Sequence, residues 1–193
     1  AMTDAGKYFL RKQKRSTGVS EKELIKIAVK SMGLDELAPF KPEERIIEYL
    51  LAQKEDTKLI DMSLVDLANE TASESPAPGG GSISAAIGAL GISLATMVAN
   101  LSSHKNGWDE RWEEFSNWAE KGEQYKNELL RLVDADTRAF NEIMQAFGFP
   151  KSTDDEKATR HAAIQLATKN AIEVPLKVMQ VAFDSMEVIK AMA

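Results

Sequence analysis

Residues 75–101 read SPAPGGGSISAAIGALGISLATMVANL, and the fold turns on what this stretch does. Pro76 and Pro78 bracket an alanine, Gly79, Gly80 and Gly81 follow, and an uncharged run of mostly small residues begins. From residue 83 to 101 that run is about as long as a membrane span needs. It nevertheless carries Ser84, Ser93, Thr96 and Asn100, with Gly88 and Gly91. The reading is therefore a packed helix of a soluble protein. Gly81, Ala85 and Ala89 fall four residues apart, as do Ser84 and Gly88, so a neighbouring helix can approach closely, within the subunit or across a dimer. At the helix mouth the first amides have no intrahelical partner and carry the positive end of the dipole. Glycines leave those amides open, so a carboxylate or phosphate could dock there. A tight turn between two packed helices accounts for the same residues, and pattern leaves both open. No lysine follows the glycines and no strand pattern precedes them, which excludes a P-loop and a dinucleotide fingerprint.

Outward from this stretch the 193-residue chain is helical in pattern nearly throughout, with no repeat of fixed period. The run TDAGKYFLRKQKRS predicts a helix ending before Gly18. Ser20 and Glu23 form a capping box for a helix over 21–32, with Gly33 as its stop. Pro42 opens a further helix, residues 53–62 read as a polar connection, and Ser63 with Asp66 opens a short helix. A long helix is expected from about Trp108 to Phe147, with an apolar stripe through Trp112, Phe115, Ala119, Gly122, Tyr125 and Leu129. That stripe reads as core; a platform for a ligand is the alternative. Thr153 and Glu156 cap a third long helix, in which Pro175 makes a kink or a new start. The expected division is 1–56 and 57–193, the second being the main helical domain.

The absence of cysteine excludes disulfides and thiolate zinc sites, and His104 and His161 have no ligand spacing, so no metal is expected. The start lacks the order of a signal peptide. The net charge of −6 argues against a general nucleic-acid binder. Basic residues number 11 against 10 acidic through residue 56, and 13 against 20 beyond it. The RKQKR run at 11–15 reads as a solvated helix face, with anion binding as its alternative.

One titratable residue breaks the pattern. The stripe continues as Val133, Asp136, Phe140, Ile143 and Phe147, so Asp136 stands where a core residue belongs. A carboxylate there must be paired, hydrogen-bonded or neutral, which makes it a candidate general acid or base. Capping a neighbouring helix, or pairing with a buried lysine, would explain it equally. Asp134 lies on another face, where it is expected to be a solvated charge pairing with Arg138. Lys151 and Arg160 flank a helix start, serving solubility or holding an acidic substrate tail.

Two stretches, ASESPAPGGGSISAAIGALGISLATMVANL and LVDADTRAFNEIMQAFGFPKSTDDEKATR, with AIEVPLKV after them, resemble the cyclodeaminase part of the formiminotransferase-cyclodeaminase family. The segment from AGKYFLRKQKRS to EERIIEYLL is similar to the end of that family's transferase domain and its linker. The resemblance implies an all-α helical bundle of the cyclodeaminase type, with residues 1–56 as an N-terminal appendage. It implies conversion of 5-formimidoyltetrahydrofolate to 5,10-methenyltetrahydrofolate with release of ammonia, in histidine degradation. Asp136 would be the acid/base residue, and Gly79, Gly80, Gly81, Ser82 and Lys151 would contact the folate, which can be polyglutamylated. No cofactor beyond the tetrahydrofolate substrate is implied. The expected setting is a cytoplasmic homo-oligomer built from dimers, without nucleic acid or membrane. The family pattern continues past VIKAMA and the transferase's catalytic and folate-binding segments are absent from this chain, so no formimidoyl transfer is expected of it, and the chain is expected to be a fragment or to have its fold completed by something else. Two rivals stand beside this reading: a methenyltetrahydrofolate cyclohydrolase of the same superfamily, and a non-catalytic helical oligomerisation module.

Overall fold

The computed structural model describes residues 1–36, 38–47, 49 and 58–193. Among these, every regular element is helical: α1 (Met2–Lys12), α2 (Glu21–Ser31), α3 (Pro42–Arg45), α4 (Leu64–Thr71), α5 (Gly80–Ser102), α6 (Trp112–Phe147) and α7 (Asp154–Met192). The all-α expectation is met.

The caps show why these segments start and stop where they do. Ser20 Oγ accepts from Glu23 N at 3.4 Å, and Ser63 Oγ accepts from Asp66 N at 3.1 Å. At α7 the capping box is reciprocal: Glu156 N donates to Thr153 Oγ1 at 3.2 Å, and Thr153 N to Glu156 Oε2 at 3.0 Å. Gly33 stops α2 at φ +66, with Leu34 N closing onto Val29 O at 3.0 Å. Helix α1 ends earlier than expected. Lys14 takes φ 53, and Arg15 N and Lys14 N close onto Leu10 O and Arg11 O at 2.9 Å each, the same closure made without a glycine.

Two further boundaries differ from expectation. Pro42 does open α3, but Ile46 is extended at φ −102, ψ 119, after only four helical residues. One turn of 3-10 helix at Asp109–Arg111 precedes α6, so Trp108 lies outside the long helix. Of the two outcomes expected at Pro175, a new start does not occur: α7 runs through it. The expected domain boundary, and residues 53–57 of the polar connection, lie outside the described residues.

The chain forms two compact units, 1–56 with 92–124 and 186–193, and 57–91 with 125–185. In the first, α1 packs on α2 so closely that a Cβ on Gly6 would lie 2.3 Å from Leu24 O. Leu10, Leu24, Ile25, Ala28 and Val29 are buried there, each large side chain contributing about 1.5–3 kcal/mol. Phe115 and Ala119 are buried, and Trp108 stacks on Phe115 at 5.3 Å, while Trp108 and Trp112 are themselves half-buried. Buried Thr17 donates its N–H to Ser116 Oγ at 3.0 Å and its hydroxyl to Glu120 Oε1, beside Lys7 and Arg11 at 3.4 Å each. Burial alone would raise the Glu120 carboxyl, but the Thr17 hydroxyl with Lys7 and Arg11 outweighs it and holds the group below the usual carboxylate range.

In the second unit the first half of α5 buries Ala85 and Ala89, two members of the expected four-residue face, together with Ser82, while Ser84 is exposed. Leu129, Leu132, Val133 and Ala139 of α6 and Val178 and Val181 of α7 are buried in the same unit. By length and composition α5 could cross a membrane; its small-residue face is packed within the unit. Its opposite face leaves Ile87 and Leu90 exposed.

Candidate active site

The mouth of α5 faces the middle of α6. Helix α5 begins at Gly80, so Gly81 and Ser82 lie in its first turn, where backbone N–H groups lack helical partners. Asp136, half-buried between Val133 and Phe140 on α6, supplies the partner. Ser82 N donates to Asp136 Oδ2 at 2.8 Å, and Ser82 Oγ lies 3.1 Å from the same oxygen. The anion docked on this helix N-terminus is the protein's own carboxylate, in the favourable field of the helix dipole.

The glycine run makes this approach possible. A Cβ on Gly81 would lie 2.2 Å from Asp136 Oδ1 and 2.5 Å from Cγ, well inside contact distance. Gly79 leaves 3.7 Å to Oδ2, and Gly80 has nothing within 4 Å. The three glycines therefore differ in role. Gly81 makes room for the carboxylate, while Gly80 borders open space.

That space is a cavity of about 220 Å³. Gly79, Gly80, Gly81 and Asp136 line it, with Pro76 and Ala77 from the loop before α5, Thr137 and Phe140 from α6, and Ala171 from α7. The Ala77–Pro78 peptide is cis. Asp136 is the sole titratable group among these described lining residues. Pro175 has no N–H to return to the carbonyl of Ala171, four residues back on the cavity wall.

The structure thus gathers Gly79, Gly80, Gly81 and Asp136 at one cavity. Ser82 is placed differently from expectation. Its side chain is 0% exposed, so it stands behind the carboxylate and supports it rather than reaching the cavity. Lys151 is exposed in the turn between α6 and α7 and is not among the cavity's lining residues. Arg160 donates from Nε and Nη2 to Phe147 O at 3.3 Å, closing the end of α6.

Asp134 corrects the sequence reading. It is 8% exposed, not solvated, and in place of the surface pair with Arg138 its Oδ1 accepts from Leu59 N at 2.8 Å. Leu59, distant in sequence, meets α6 there, a contact that helical spacing does not carry. Thr137, Phe140 and Ala171 were not anticipated on the cavity. For Thr137 the signal was adjacency to Asp136; for Ala171 it was the proline four residues on.

A family model for formiminotransferase-cyclodeaminase matches residues 63–193, and one for the formiminotransferase domain matches residues 1–52. The chain belongs to the formiminotransferase-cyclodeaminase family. It is 40% identical over 176 residues to the formimidoyltransferase-cyclodeaminase of Gallus gallus, covering 91% of this chain and 32% of that protein. It is 43% identical over 105 residues to the methenyltetrahydrofolate cyclohydrolase of Methylorubrum extorquens, covering 54% of this chain and 50% of that protein. Among solved structures it resembles formiminotetrahydrofolate cyclodeaminase of Thermotoga maritima, with TM-score 0.58 and 30% identity over 69% of this chain and 63% of that one. The chain thus spans about a third of the length of the formimidoyltransferase-cyclodeaminases it matches.

Proposed function

We propose that this chain carries the cyclodeaminase site that closes 5-formimidoyltetrahydrofolate to 5,10-methenyltetrahydrofolate and releases ammonia. The observation that carries this reading is the Asp136 carboxylate, held through Oδ2 by Ser82 and bordering a cavity otherwise lined by glycine backbone, a threonine and apolar groups. The reaction needs one positioned proton acceptor that later donates. Substrate N10 attacks the carbon of the formimidoyl group, which enters protonated as an amidinium; as the C–N bond forms, Asp136 takes the N10 proton, leaving a neutral adduct that bears an NH2 group. The carboxylic acid then protonates the exocyclic nitrogen of the tetrahedral adduct. The C–N bond to that nitrogen breaks, ammonia leaves, and the carboxylate is regenerated. Such catalysis contributes about 10²–10⁴-fold.

The cavity of about 220 Å³ is smaller than the ~300–1,000 Å³ of most ligand sites, so it takes the reacting end of the folate. On this reading the rest of the substrate lies outside it, and proton transfer alone suffices, without metal or redox cofactor. The setting we propose is a cytoplasmic homo-oligomer built from dimers. The apolar face of α5 bearing Ile87, Leu90 and Leu94, exposed here, supports that assembly. Lys151 would act, if on any part of the substrate, on its distal acidic end.

The test is formation of methenyltetrahydrofolate by the full-length polypeptide carrying Asp136→Asn. Turnover should fall by about 10²–10⁴-fold. Full turnover in that variant ends the proposal. The similarity to the Methylorubrum extorquens enzyme favours a second reading, hydrolysis of the methenyl compound, in which Asp136 would activate water. Ammonia release from the formimidoyl substrate, against hydrolysis of the methenyl one, separates the two.

A further inference from the structure

We infer that Ser82 is a positioning residue that keeps Asp136 competent both as base and as acid; this rests on the reaction proposed above. The hydrogen bonds that Ser82 makes to the carboxylate all end on Oδ2: the N–H at 2.8 Å and the hydroxyl at 3.1 Å. Oδ1 lies over Gly81, whose missing side chain leaves it room. Because a backbone N–H cannot turn round to accept, it keeps Oδ2 as an acceptor in both protonation states. The travelling proton is thereby directed to Oδ1.

The hydroxyl does something the N–H cannot. Ser82 Oγ lies 2.8 Å from Val133 O, 3.1 Å from Asp136 Oδ2 and 3.1 Å from Thr137 Oγ1. It has one proton and two lone pairs. While Asp136 is ionised, the hydroxyl can donate to Oδ2. Once Oδ1 has taken the N10 proton, Oδ2 is a weaker acceptor, and the Ser82 proton can turn to the Val133 carbonyl, which only accepts. Thr137 Oγ1 can donate to Ser82 Oγ in either arrangement. Neither protonation state leaves the fully buried Ser82 hydroxyl unpaired. A proton can therefore arrive at Oδ1 and leave it again without breaking the support behind it. No other titratable residue lines this cavity among those described, so the exchange is confined to Asp136.

The experiment uses the full-length polypeptide and 5-formimidoyltetrahydrofolate, with steady-state kinetics across pH for wild type, Ser82→Ala, Thr137→Val and Asp136→Asn. Thermal melting monitors folding. Ser82→Ala should lower kcat by about 10- to 100-fold, the range spanned by a hydrogen bond to a charged group. KM should stay within about twofold, because the side chain does not reach substrate. The acid limb of the kcat profile should move to higher pH, since the ionised carboxylate loses a donor. Thr137→Val should move kcat and the limb the same way by less. A folded Ser82→Ala with unchanged kcat, or with a change in KM alone, overturns the inference. If that variant does not fold, Thr137→Val decides alone, and an unmoved kcat and pH profile overturn it. Full turnover in Asp136→Asn would instead sink the reaction assignment; loss there with wild-type kcat in Ser82→Ala removes only the role of Ser82.

Discussion

Replacing Gly81 by alanine adds one methyl group at the point where α5 meets Asp136. The new Cβ would lie 2.2 Å from Oδ1, 2.5 Å from Cγ and 2.7 Å from Oδ2, where ordinary contact begins at 3.4 Å. The carboxylate must retreat by about 1 Å, and its bond to Ser82 N at 2.8 Å and its contact with Ser82 Oγ at 3.1 Å both weaken. Losing a hydrogen bond to a charged group costs about 1.5–3 kcal/mol. Alanine in a helix returns about 0.5–1 kcal/mol over glycine. The net loss, about 1–2 kcal/mol, lowers Tm by roughly 2–8 °C for a domain of this size.

Activity should suffer far more than stability. A displacement of about 1 Å at a reacting group costs on the order of 100-fold in rate. The assay is methenyltetrahydrofolate formation at saturating substrate, read beside a thermal melt of the same sample. Gly91→Ala is the control for propensity: it lies on the same helix with nothing within 4 Å of a new Cβ. It should raise stability by about 0.5–1 kcal/mol and leave kcat alone. Wild-type kcat in Gly81→Ala would refute the claim that the glycine exists to admit the carboxylate.

Three further outcomes are expected. A Cβ at Gly80 meets no atom within 4 Å, so in Gly80→Val the fold should survive while the γ carbons intrude on the cavity; KM should rise, and unchanged substrate affinity would deny that this wall meets substrate. Asp134→Ala removes the acceptor of Leu59 N and should lower stability by about 1.5–3 kcal/mol in a urea melt, with kcat unaltered; a loss of turnover in the folded variant would count against a purely structural Asp134. Glu120 is held below its ordinary value of 4.5, burial opposing and Thr17, Lys7 and Arg11 prevailing. Its contribution is present above that value and lost as pH falls through the lowered one, so the stability gap between wild type and Glu120→Gln should close as pH falls below 4.5 in urea titrations.

The elements that sequence patterns located are those governed by local rules. Ser20, Ser63 and Thr153 each cap the helix their spacing announced. Gly33 ends α2 because only residues tolerant of positive φ close a helix cheaply. Lys14 shows the limit of that rule. It adopts the same region, so the end of α1 carried no glycine to reveal it. Asp136 was legible because it interrupted an apolar stripe. Ser82 was legible only as part of a glycine-rich mouth; that its hydroxyl would be wholly buried depends on how α5 meets α6, which no spacing within one helix encodes.

Asp134 and Asp136 show what separates a structural carboxylate from the acid/base residue proposed here. Both stand on α6, two residues apart, and each accepts a backbone N–H at 2.8 Å, from Leu59 and from Ser82. Hydrogen bonding to an amide therefore cannot be the mark of function, since they share it. Burial cannot be the mark either, for Asp134 is the more buried of the two. The difference is access. Asp134 is sealed at 8% exposure, whereas Asp136 borders a cavity large enough to admit a reacting group, with one oxygen secured and the other over Gly81. A group that must receive and return a proton needs one side anchored and the other open. Of the two, Asp136 is the one that borders a cavity, and the missing side chain of Gly81 is what lets its carboxylate sit there.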